Sequence, residues 1–298
     1  EWVSKKEAHV VYALAPGEYI LHEEQAPTEQ GYVRAEDVKF VVEETGEVQK
    51  VKMKDDHTKV SISKTDITDG KEIEGAKLQI LDQEGEVVES WTTGEEHLIE
   101  YLPVGTYTLH EEAAVGGYIV ANDVEFTVEE TGEIQKVKME DERAMGQLVI
   151  VKTDADSKAA LEGVEFVLLE KETGKEVERL KTGKDGKAVS SLLPIGTYEN
   201  GVFKEPITYV LKETAALEGY EKTEEEWEIV FSYQNDKTPV IEVVKEIQNK
   251  KIPETPGTVK PGPKTGDDTN WFLPLLALGV SAGMVAGLLY YRKKQKKA

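Results

Sequence analysis

The 298-residue sequence contains no cysteine. That excludes a disulfide framework, a thiolate zinc site and a cysteine nucleophile. Exported proteins built of small domains often depend on disulfides, so this one must be stabilised in another way. Positive charge is scarce too: 36 Lys and Arg stand against 58 Asp and Glu, for a net charge of -22. So acidic a body repels phosphates, which excludes nucleic acid as a partner. No Gly-rich phosphate loop, G-x-S-x-G elbow or HExxH pair occurs. His9, His22, His57, His97 and His110 show no paired metal spacing, so they read as surface residues, and neither a metal nor another cofactor is expected. "TDITDG" (65–70) and "TDADSK" (153–158) fall short of calcium-loop spacing and read as polar loops. Carboxylate runs such as "EKTEEEWE" read as a solvated face. No Met or signal peptide opens the sequence, and an exported protein needs a signal, so an N-terminal part is expected to precede Glu1. No long amphipathic helix pattern is found in the body.

One long uncharged run is present. Residues 272–291, "FLPLLALGVSAGMVAGLLYY", are long enough as a helix to span about 30 Å of hydrocarbon. Arg292, Lys293, Lys294, Lys296 and Lys297 follow, and the positive-inside rule keeps them in the cytoplasm with the body outside. Just ahead stands "GPKTGDD". Motif, span and basic tail together resemble the cell-wall sorting signal of Gram-positive surface proteins. In that family a sortase cuts an LPXTG motif between Thr and Gly and joins the Thr to peptidoglycan. The resemblance places the motif at Pro263, Lys264, Thr265 and Gly266, with cleavage after Thr265; Gly262 stands where the family has Leu. Upstream, residues 251–261 are rich in proline and read as an extended wall spacer.

The body repeats itself. "FVVEETGEVQKVKMKDD" (40–56) matches "FTVEETGEIQKVKMEDE" (126–142) at an offset of 86 residues. "LAPGEYILHEE" (14–24) matches "LPVGTYTLHEE" (102–112), and a divergent third copy runs through 192–214. Alternating runs split by Gly-bearing turns predict hairpins at Glu84-Gly85, Thr131-Gly132 and Thr173-Gly174. The expected fold is all-β: tandem immunoglobulin-like sandwiches. Unit one covers 1–56 without its opening strands, unit two 57–142 and unit three 146–250, followed by the spacer and the signal at 262–298.

Strand periodicity shows which side chains share a face. Lys64 continues the stripe of Val60 and Ile62, Glu111 that of Tyr107 and Leu109, and Asp141 that of Val137 and Met139. In unit three, Lys152, Glu213 and Asn249 do the same. Each strand therefore aims one polar or ionisable group at the core, where an unpaired charge is costly, so the three should meet. Burial favours a neutral amine and a protonated acid. Beside a carbonyl, that pair can form an intramolecular amide, with loss of water from Asp or ammonia from Asn. Spacing alone leaves open a paired but unlinked cluster, or a strand end dipping into solvent.

The pattern Y-x-L-x-E…G-Y occurs as "YILHEEQAPTEQGY", "YTLHEEAAVGGY" and "YVLKETAALEGY", with "VSISKTD" and "LVIVKTD" as opening strands. It resembles the E-box of prealbumin-like, CnaB-type (SpaA-like) repeats. Many members of that family form a Lys to Asn or Asp isopeptide, with the E-box Glu as catalyst. The resemblance implies Lys64–Asp141 with Glu111, and Lys152–Asn249 with Glu213. Unit one keeps Glu23 and Asp55 but has no lysine strand. By analogy with disulfides, closing such loops stabilises by roughly 4 to 5 kcal/mol. The expected protein is not an enzyme acting on other molecules. It is the wall-proximal stalk of an extracellular surface protein, with sortase and peptidoglycan as partners and a host or matrix ligand bound further out. A sortase-polymerised pilin subunit and the anchoring region of a larger extracellular enzyme are the alternatives.

Overall fold

The computed structural model describes residues 1–253. Gly262, Pro263, Lys264, Thr265, Gly266, the span 272–291 and all but the first three residues of the spacer lie outside the described residues. Among the described residues no helix is long and apolar enough to cross a membrane. Among the described residues the architecture is all-β, and the one helical element is a 3-10 turn at Thr28–Gln30.

Unit two is a sandwich of two four-stranded sheets. One orders Tyr118–Ile119, Ile134–Arg143, Lys59–Asp66 and His97–Glu100; the other orders Val124–Val128, Gly105–Ala113, Lys77–Leu81 and Val87–Thr92. Alternate residues meet between the sheets, where Val60, Ile62, Leu78, Ile80, Leu109, Val128 and Met139 form the core. Unit three repeats the plan: Met145–Asp154 and Val240–Asn249 in one sheet face Glu176–Lys181, Glu165–Glu170, Thr208–Ala215 and Glu226–Val230 in the other. Its core holds Leu148, Ile150, Phe166, Leu168, Leu211, Phe231 and Ile247.

In both units the first and last strands are neighbours and run parallel. Lys59–Asp66 pairs with Ile134–Arg143 in a register that sets Met139 opposite Lys64. Met145–Asp154 pairs with Val240–Asn249 so that Ile247 lies opposite Lys152. Parallel neighbours cannot be joined by a hairpin, and here the whole remaining unit forms the connection.

The hairpins predicted at Glu84-Gly85 and Thr173-Gly174 form. The one predicted at Thr131-Gly132 does not. Val124–Val128 pairs with Gly105–Ala113, whereas Ile134–Arg143 pairs with the opening strand of the other sheet. The turn carries the chain from one sheet to the other, and alternation is the same in either case.

Unit one forms two small ladders, Gly17–Leu21 with Val38–Val42 and Tyr32–Val33 with Asp56–His57. Its only buried hydrophobic residues among those described are Ala26 and Val33.

Unit three carries an additional hairpin, Gly196–Glu199 with Val202–Pro206, where its repeat diverges. Asn200 and Gly201 at its tip both have positive φ, as a tight two-residue turn requires. The hairpin packs on unit two. The Tyr198 hydroxyl donates to the Gly117 carbonyl at 2.8 Å, and the Tyr198 ring meets Tyr118 edge-on at 5.2 Å. A methyl group at Gly201 would lie 2.2 Å from the Glu72 carbonyl oxygen in unit two. Gly201→Ala is therefore expected to separate the two units, at about 1–3 kcal/mol from overpacking and turn strain. Calorimetry should resolve two melting transitions in that variant and one in the native chain; one unshifted transition in both would contradict the tight junction.

Candidate functional site

Each of the two complete sandwiches buries a lysine, a glutamate and an Asp or Asn at one end of its core. The lysine and its strand-borne partner are diagonal neighbours. Lys64 lies opposite Met139, so Asp141, two residues further on, shares its face; Lys152, Ile247 and Asn249 repeat the relation. The glutamate arrives from the facing sheet, on Gly105–Ala113 in unit two and Thr208–Ala215 in unit three.

In unit three the Lys152 amine donates to Asn249 Oδ1 and stands 3.0 Å from Glu213 Oε2. Asn249 Nδ2 donates to Glu213 Oε1 at 2.7 Å. One carboxylate thus bridges the amine and the amide nitrogen. Lys152 and Glu213 side chains are fully covered, and the Phe166 ring centre lies 5.9 Å from the amine. Burial pulls the Lys152 amine below the usual lysine range, against the opposing pull of Glu213.

In unit two the Lys64 amine donates to Asp141 Oδ1 and lies 3.0 Å from Glu111 Oε2. Glu111 Oε2 also accepts the Ala121 backbone N–H at 2.6 Å. Here two carboxyls share one lysine. Burial pushes the Asp141 carboxyl up to about 7; Lys64 opposes that rise and Glu111 adds to it. Glu111 Oε1 and Asp141 Oδ2 are buried acceptors with no donor. A proton on Asp141 supplies one, so that protonated Asp141 does for Glu111 what the Asn249 amide does for Glu213.

Unit one preserves only the glutamate's setting. Glu23 Oε2 accepts the Ala35 N–H at 2.7 Å, the counterpart of Glu111 and Ala121. Asp55 is half-buried, and among the described residues no lysine amine comes within ion-pair distance of Glu23. His22 and His110 lie at the surface beside Asp37 and Asp123, at 2.5 and 2.7 Å.

Four further buried or half-buried groups escaped the sequence reading. Asp66 and Asp154, each two residues after its lysine, accept hydroxyl hydrogen bonds from Tyr118 and Tyr220 at 2.7 and 2.8 Å. Those aspartates end their strands and are the second residues of the segments read above as polar loops. Their repeated Lys-Thr-Asp context and the recurrent Gly-Tyr were the available signal. Asp154 is held well below the usual carboxylate range by the Ser157 backbone N–H and by Tyr220. Burial pushes Asp66 up, but hydrogen bonds from Tyr118, the Thr68 backbone and Arg143 outweigh it and leave it lowered.

The arrangement provides a buried amine, a carbonyl carbon beside it and a carboxyl able to move protons between them. Comparison with known proteins bears on the fold. Residues 58–143 and 146–206 match the family model of the SpaA prealbumin-like fold domain. The TIE protein of Bacillus anthracis is 32% identical over 80% of this chain, with a TM-score of 0.50. This chain spans 43% of that protein's solved chain. A streptococcal ancillary pilin is 20% identical, with 81% of this chain and 77% of the other covered at a TM-score of 0.30. A minor pilin of Streptococcus agalactiae is 18% identical, with 71% and 100% covered at a TM-score of 0.28. The comparison with curated proteins finds no match. Residues 58–143 and 146–206 are thus similar to the SpaA prealbumin-like fold domain, and the two units that contain them are each closed by parallel pairing of first and last strands.

Proposed function

We propose that residues 57–250 form a self-locked stalk of an extracellular surface protein, anchored to the peptidoglycan of a Gram-positive wall through the sorting signal at 262–298. The observation that carries the reading is the duplicated triad: two lysines, each buried against a glutamate and a carbonyl on the neighbouring terminal strand.

In unit three, Glu213 takes a proton from the Lys152 amine at Oε2, and the neutral amine attacks Cγ of Asn249. A new C–N bond forms. The second amine proton passes through Glu213, whose Oε1 already faces Nδ2, to the departing nitrogen. The old C–N bond breaks and ammonia leaves. In unit two, Lys64 attacks the Asp141 carboxyl, Glu111 moves the protons, and the hydroxyl leaves as water. Burial serves each step in its own way: it draws the Lys152 amine toward its nucleophilic neutral form and the Asp141 carboxyl toward its reactive protonated form.

The links would lie in the path of tension. Force entering at Lys59 reaches Lys64, crosses to Asp141, and passes through Ala144 into Met145–Asp154, where Lys152 hands it to Asn249. Everything between lysine and partner then carries no load, which suits a stalk lacking disulfides.

The intact mass of the full chain, made without a sortase, is expected to fall short of the sequence mass by one water plus one ammonia. Glu111→Ala should restore the water and Glu213→Ala the ammonia. A native mass equal to the sequence mass would remove the links from the account.

The two units should differ in pH response. Asp141 is protonated below about 7 and ionised above it. Water loss in unit two is therefore expected to slow about tenfold per pH unit above that point, as the protonated fraction declines. Asn249 has no such ionisation. Asp141→Asn should exchange water loss for ammonia loss and abolish the decline, as timed acid quenching and mass measurement would show.

In a Gram-positive host, Thr265→Ala with Gly266→Ala is expected to move the protein from the covalent wall fraction to the membrane and medium. Unchanged attachment to purified wall would contradict sortase anchoring.

A further inference from the structure

Asp66 and Asp154 are buried, take no part in the triads, and recur at the same place in each unit. Each is held from two directions. The tyrosine of the Gly-Tyr pair donates its hydroxyl. A cation two residues beyond the bonding residue provides the second hold: Arg143 Nε lies 2.6 Å from Asp66 Oδ2, and Lys251 Nζ lies 3.7 Å from Asp154 Oδ2. Backbone contacts recur as well. The glycine before the tyrosine accepts the N–H of the residue three past the bonding position, Gly117 from Ala144 at 2.8 Å and Gly219 from Ile252 at 2.9 Å. The bonding residue's own carbonyl accepts from the residue three past the lysine, Asp141 from Ile67 at 3.1 Å and Asn249 from Ala155 at 2.9 Å.

These contacts bracket the bonding residue where the strand ends. Asp141 lies two residues from the end of Ile134–Arg143, and Asn249 is the last residue of Val240–Asn249. Strand ends open at little cost. An electrophile on an opening end spends only part of its time against the amine, and effective molarity declines with that fraction. We propose that the aspartate, tyrosine and cation form a clasp that positions the closing strand's end, so that Asp141 and Asn249 stay against their lysines until the bond forms. The proposal rests on the reading that the triads link. Asp66, Asp154, Tyr118, Tyr220, Arg143 and Lys251 act through the strand and are positioning residues.

The clasp differs between units in one respect. The Arg143 guanidinium also reaches Asp69 at 3.0 Å and lies 4.1 Å over the Tyr198 ring of unit three. Lys251 is largely exposed and makes the longer contact. Unit two therefore depends on its cation more than unit three does.

The full chain would be made by cell-free translation, quenched in acid at timed intervals and weighed, with peptide mapping to assign each loss. Tyr220→Phe is expected to slow ammonia loss about tenfold and leave water loss unchanged. Arg143→Ala should slow water loss alone, and Arg143→Lys should restore most of its rate. Purely structural residues would lower the melting temperature of the finished products without changing these rates. Native rates in both Tyr220→Phe and Arg143→Ala would overturn the clasp, as would an Arg143→Lys rate no better than that of Arg143→Ala. Asp154→Asn should match Tyr220→Phe; if it fails to fold, Tyr220→Phe decides. A native chain that loses neither water nor ammonia would sink the linkage itself, an outcome distinct from linkage at unaltered rates.

Discussion

The parallel pairing of first strand with last is the constraint on which the rest depends. It places Lys64 diagonally across from Asp141 and Lys152 across from Asn249, on faces that the core has already made dry. Exposed to water, Lys64 and Asp141 would form an ordinary ion pair, and Lys152 and Asn249 a single hydrogen bond, of little consequence. Under a sandwich of apolar residues, burial pulls the Lys152 amine down and pushes the Asp141 carboxyl up, each toward its neutral form, and the chemistry available changes. The glutamate could come only from the opposite sheet, because the paired strands use their shared face for the other two members. Fold and reactive geometry are therefore one arrangement.

The units are joined with little slack. Only Ala144 separates Ile134–Arg143 from Met145–Asp154. Its N–H is held by Gly117, and the next N–H, of Met145, is held by the Pro239 carbonyl at 2.9 Å. The hairpin unique to unit three covers the same junction through Tyr198 and Phe203. Thr58 N–H on Gly31 O, at 2.9 Å, repeats the pin between units one and two. Arg143, which lies over the Tyr198 ring and holds Asp66, ties this junction to the site in unit two.

Much of this was legible in the residues. Period-two alternation identified the inward faces, and a polar group continuing an apolar stripe in three strands of each unit pointed to a meeting place. The Thr131-Gly132 turn misled because alternation identifies a strand but not the sheet it joins. Asp66 and Asp154 were passed over because "TDITDG" and "TDADSK" have loop composition; what buries the first aspartate is a tyrosine 52 or 66 positions away, which no local pattern reveals. That the Asp141 carboxyl is pushed toward its protonated form also lay beyond the sequence. Burial raises it, and Glu111, the second carboxyl around the Lys64 amine, adds to the rise.

Force spectroscopy on the full chain, held at its two ends, tests the central claim most directly. If each lysine is joined to its partner, the segments 64–141 and 152–249 stay out of the extension, and the trace shows no unfolding step from either unit up to detachment. Glu111→Ala with Glu213→Ala should then yield two steps, each releasing the length of one unit. Two such steps from the native chain would contradict the account.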